Sequence, residues 1–87
     1  MIIKRQGNYK WTAEMNFSAY CDAVSPLLQN KKGKEVTTGQ AWLHTNWNYS
    51  TSTTYFKRIM DTLIEQEKAV LVGKKGRWRL LVDKVKL

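Results

Sequence analysis

NYSTSTTYFKRIMDTLIEQEK, residues 48–68, begins as a run of hydroxyl side chains and settles into a helical rhythm. Ser50, Thr51, Ser52, Thr53 and Thr54 suit helix capping and phosphate contact, and Phe56, Ile59, Met60 and Leu63 recur at the three- and four-residue steps of an amphipathic helix. At about 100° per residue those four share one face, while Thr51, Thr54, Tyr55, Arg58, Asp61 and Thr62 fall on the other, with Lys57 at its edge. A helix that enters a DNA major groove sets its N-terminal residues against base edges and phosphates, and hydroxyls, a tyrosine and cations serve that purpose. An ordinary solvated helix face would show the same periodicity.

Immediately upstream, Thr37-Thr38-Gly39-Gln40 fits a capping box and predicts a helix running to about Thr45 that buries Ala41, Trp42 and Thr45. Asn46-Trp47-Asn48 breaks it as a polar turn with one apolar plug. Glu35-Val36 reads as a short extended connector. Further back, Phe17, Tyr20, Cys21, Val24, Leu27 and Leu28 form another helical stripe, interrupted by Pro26. Proline is tolerated at a first helical position, so this is either two pieces, 14–24 and 26–31, or one kinked helix, stopped near Gly33. Residues 1–12 are a basic arm or a short hairpin about Gln6-Gly7-Asn8.

Downstream of Lys68 the period changes to alternation. Ala69 to Val72 and Arg77 to Val82 read as two strands around the tip Gly73-Lys74-Lys75-Gly76. On the second strand Trp78, Leu80 and Val82 share a core face, opposite Arg77, Arg79 and Leu81. Asp83 to Leu87 reads as a strand extension or a frayed tail. Trp11, Trp42, Trp47 and Trp78 suit packing better than base stacking.

The chain of 87 residues has room for one small domain and not for a catalytic cleft with its supporting shells. Its formal charge is +8, with six cations and two acids in residues 1–34, two and three in 35–66, and seven and two in 67–87. Two basic flanks around a near-neutral middle favour a polyanionic partner. The single cysteine, Cys21, cannot form an internal disulfide and sits in an apolar stripe, which suits an inert thiol in a reducing compartment. His44 stands apart from any ligand cluster, so no metal or other cofactor is expected. No apolar run is long enough for a membrane span, and MIIKRQGNYK lacks a signal peptide's hydrophobic region, so no membrane association is expected. No catalytic spacing of carboxylates, Cys/His or Ser/His/Asp is present, so an enzyme is not expected.

The order helix, short strand, helix, turn, long helix, hairpin resembles the winged helix-turn-helix class of DNA-binding domains over roughly Phe17 to Val82. The resemblance rests on Thr37-x-x-Gln40-Ala41-Trp42 followed by Asn46-Trp47-Asn48, on Phe56…Met60-x-x-Leu63, and on GKKGRWR. Asn46 stands where glycine is common in the turn, and Lys68 where it is common before the wing. Tyr55 and Trp78 are also similar to a pair in domains that bind left-handed duplexes, although Thr51 stands where those place asparagine.

The resemblance implies an α+β fold of three helices and a C-terminal two-stranded wing, in one domain with an arm (1–12), a core (13–82) and a tail (83–87). It also implies double-stranded DNA as partner, read by the helix after the turn, as in a small transcriptional regulator such as a repressor, or a mobile-element accessory factor. Ser50, Thr51, Thr54, Tyr55, Lys57 and Arg58 would meet the major groove, and Thr38 and Gln40 a phosphate. Lys74, Lys75, Arg77 and Arg79 would grip the flanking backbone. The alternative is a winged-helix interaction module for an acidic protein; a hairpin edge protected by its lysines would carry the same charges. A monomer or weak homodimer is expected, cytoplasmic and associated with the nucleoid when on DNA.

Overall fold

The computed structural model describes residues 13–73 and 76–87. Its elements are α1 (Ala13–Val24), a 3₁₀ turn (Ser25–Leu28), β1 (Glu35–Thr37), α2 (Thr38–Thr45), α3 (Tyr49–Glu65), β2 (Ala69–Leu71) and β3 (Arg77–Leu80). The fold is α+β, with three α-helices and a three-stranded antiparallel sheet in the order β1-β3-β2. This layout is compatible with a small winged-helix domain. The expected arm, Trp11 and the hairpin-tip residues Lys74 and Lys75 lie outside the described residues.

Pro26 opens the 3₁₀ turn at the end of α1, so the first helical stripe is two pieces. The capping box at α2 is complete: Thr37 Oγ1 accepts the Gln40 amide at 3.1 Å and Gln40 Oε1 accepts the Thr37 amide at 3.0 Å. Asn46 ends α2 in the left-handed region at φ 59°, which asparagine tolerates, so the turn has no need of glycine there. Asn48 then caps α3, its Oδ1 accepting the amides of Ser50 and Thr51. At the far end the left-handed residue is Glu67, at φ 61°. Its amide bonds the Ile64 carbonyl and the Lys68 amide bonds that of Leu63, a Schellman closure with glutamate where glycine is usual.

Phe56, Ile59, Met60 and Leu63 of α3 are buried, as their spacing predicts, against Tyr20, Val24 and Leu28, Val36, Ala41, Trp78 and Leu80. Trp78 lies edge-on to Phe56, ring centroids 5.4 Å apart, so α3 and the hairpin share one aromatic contact. β3 pairs on both sides, Val36 opposite Trp78 and Leu71 opposite Trp78, and its side chains alternate outward arginine with inward apolar residue as expected.

Three expectations need correction. Trp42 is 38% exposed and packs edge-on to Tyr49 on the surface, because α2 buries one side only and Ala41 occupies it. Ser52, in the hydroxyl run, is fully buried and hydrogen-bonds the Tyr20 hydroxyl at 2.8 Å. Residues 83–87 are neither strand nor frayed end: Val85 is buried, and the Gln29 amide clamps its backbone, Nε2 donating to the Val85 carbonyl and Oε1 accepting its amide.

Candidate nucleic-acid interface

The open face of α3 carries Ser50, Thr54, Lys57, Arg58, Asp61 and Glu65, all exposed. Cations and hydroxyls occupy its front, and the two acids its rear. The hydroxyl protons are already committed. Thr54 Oγ1 donates to the Ser50 carbonyl at 3.0 Å, Thr53 Oγ1 to that of Tyr49 at 2.8 Å, and Ser50 Oγ to Asn48 Oδ1 at 3.0 Å. In that pose the hydroxyl oxygens turn lone pairs outward and suit a donor such as a base amino group, while a phosphate would require the rotor to turn.

Lys57 pairs with Asp61 one turn along, Nζ to Oδ2 2.9 Å. The Arg58 guanidinium stands 4.0 Å above the centre of the Phe17 ring, a cation–π contact that fixes its plane and leaves its edge donors available. Thr51 is half-buried. Tyr55, expected at the groove, is turned to α1: it packs among Phe17, Tyr20 and Trp47 with centroids 5.3, 5.6 and 6.2 Å away. Tyr55 and Trp78 pack against different aromatic side chains, Tyr55 against Tyr20 and Trp78 against Phe56.

α2 and the hairpin root join this face. The Thr38 amide donates to the Gly76 carbonyl at 3.1 Å, and Gly76 sits at φ 95°, a conformation that a side chain would strain. A cleft lined by Thr38, Thr53, Lys57 and Gly76, floored by Trp78, therefore runs from the front of α3 to the foot of the hairpin. Gln40 is exposed beside it, its side-chain oxygen held in the capping box. Thr53, one of the hydroxyls suited to phosphate contact but not one of those expected at the groove, lines this cleft because α2 packs on its side of α3.

Arg77 and Arg79 project from the outer face of the sheet, as alternation predicts. Both, however, are bound to Glu35: Arg77 Nη1 donates to Oε1 at 3.0 Å and Arg79 Nη2 to Oε2 at 3.2 Å. The bond from Arg77 and, after it, that from Arg79 hold the Glu35 carboxyl below the usual carboxylate range, so it is charged at neutral pH. Glu35 lies 42 and 44 residues from these partners, beyond the reach of any local pattern.

Elsewhere the chemistry is quiet. Cys21 is half-buried and burial pushes its thiol up, which suits the inert role expected. Among the described residues no cluster of His, Cys, Asp and Glu gathers to hold a metal, and no helix is long and apolar enough to cross a membrane. No protein-family model, curated protein or solved structure matches this chain.

Proposed function

We propose that the protein binds double-stranded DNA and reads its sequence, with the front of α3 in the major groove and the hairpin along the flanking backbone, in the manner of a small regulator or mobile-element accessory factor. The reading is carried by one continuous surface: Ser50, Thr54, Lys57 and Arg58 on α3 meet the start of α2 and the root of the hairpin through the cleft of Thr38, Thr53 and Gly76. The net charge of +8 supplies attraction, and the outward lone pairs of the α3 hydroxyls with the edge of Arg58 supply groups that discriminate base edges. Asp61 and Glu65 limit close approach to the front of the helix.

A titration of random duplex at several salt concentrations tests the proposal. Affinity should fall linearly on a log-log plot, with a slope of roughly 0.9 per phosphate neutralised. Lys74→Ala with Lys75→Ala should lower that slope by about two on every sequence, while Arg58→Ala should cost about 1–3 kcal/mol on a selected site and much less on random duplex. Absence of binding at low salt would favour the second reading, a protein-interaction module. That reading draws on Trp42, Leu43 and Tyr49, which are 38%, 74% and 54% exposed at the α2–α3 corner.

A further inference from the structure

The outer face of the sheet holds two arginines and one carboxylate in a single cluster. Glu35 stands directly across from Arg79 and diagonally from Arg77, and each of its oxygens accepts from a different guanidinium. On the other side of Arg79 the cross-strand neighbour is Val70. Among the described residues no other carboxylate pairs with either arginine. A carboxylate with one oxygen on each of two guanidinium groups occupies the position that a phosphodiester's two free oxygens would take. The cluster thus has a net charge of +1 where the two arginines alone would present +2 to a polyanion.

We propose that Arg77 and Arg79 form one phosphate-binding fork, and that Glu35 is its built-in competitor, setting how strongly the hairpin holds any nucleic-acid backbone. A phosphate must displace or share with the carboxylate to enter the fork. Affinity for arbitrary sequence is thereby held down, and discrimination is left to the base-facing groups of α3. This deepens the duplex-binding reading above and rests on it.

The test is Glu35→Gln in the full chain, with random duplex as probe. Glutamine keeps the size of the side chain and an acceptor oxygen while removing the charge. The variant should bind more tightly at low salt, with a slope steeper by roughly 0.9, because the fork then presents one further charge to one phosphate. Its advantage over wild type should shrink by roughly three- to fourfold between about 50 and 200 mM salt. A second variant works in the wild-type background: Arg77→Ala with Arg79→Ala should lower the slope by less than the Lys74/Lys75 double variant does, and by more once Glu35→Gln is also present. An unchanged or weaker affinity for Glu35→Gln, in a chain whose wild type binds duplex, overturns the competitor and makes Glu35 a residue that merely positions the arginines. Failure of wild type and variant alike to bind duplex removes the DNA reading and this inference with it.

Discussion

Two groups of cations face outward, and they are restrained in different ways. On α3, Lys57 and Arg58 each have a private partner: Asp61 for the lysine and the Phe17 ring for the arginine. On the sheet, Arg77 and Arg79 share Glu35. A ring over a guanidinium holds its plane without cancelling its charge, whereas a carboxylate cancels about one charge. The helix therefore keeps a fully charged guanidinium in a fixed plane, while the hairpin's arginines are kept partly neutral. Charge counted along the chain overstates what the hairpin offers and understates how well Arg58 is aimed.

Both regions rest on one floor, and breaking it should produce the largest effect. Trp78 under the hairpin and Phe56 under α3 touch edge to face inside the core. Trp78→Ala removes a buried aromatic side chain and should cost about 3–5 kcal/mol, read as a fall in the urea midpoint. Because this is a large share of a small domain's stability, the helix and hairpin contributions to binding should disappear together. A variant that keeps its midpoint would show the two regions to be independently supported.

The parts of the molecule legible in advance were those written in local chemistry. The capping box at Thr37 and Gln40, the buried face of α3 and the alternation of β3 each depend on spacings of a few residues. What escaped depends on which neighbour covers a flank. Tyr55 lies about 100° from Phe56 around the helix, so its exposure is decided by α1, which covers it. Trp42 follows Ala41, and which of the two is covered depends on the neighbour that α2 packs against, here one that covers Ala41. Glu35 meets the arginines, and Gln29 clamps Val85, only through tertiary pairing across 42 and 56 residues. The close of α3 likewise carries no local mark, since Glu67 takes the left-handed conformation without being glycine.

The hydroxyl run of α3 gives a sharper, smaller contrast, because neighbours in sequence have opposite roles. Ser52 is sealed in the core against the Tyr20 hydroxyl, and Thr54, half a turn on, is open. Ser52→Ala leaves the buried phenol hydroxyl without this partner and should cost about 1–3 kcal/mol of stability. Thr54→Ala should leave the unfolding midpoint nearly unchanged and should weaken a selected duplex far more than a random one. If Thr54→Ala lost stability and Ser52→Ala lost only binding, the assignment of inner and outer faces to this run would be reversed.

The smallest effect comes from Asp61, and it tests the difference between private and shared restraint directly. The Lys57–Asp61 pair is exposed, one turn apart on a single helix, a geometry worth only about 0.3–0.5 kcal/mol. Asp61→Asn should therefore leave stability within about 0.5 kcal/mol of wild type in urea unfolding. It releases one cation, so the salt slope with random duplex should steepen by roughly 0.9 at most, as one carboxylate removed from the hairpin by Glu35→Gln also does. Loss of Asp61 also removes a negative charge from the face carrying Thr54 and Arg58, so some tightening should appear on a selected site as well. No steepening by Asp61→Asn beside a clear steepening by Glu35→Gln would show that only the hairpin's charge is held back by its acid, whereas steepening by Asp61→Asn alone would move that restraint to the helix.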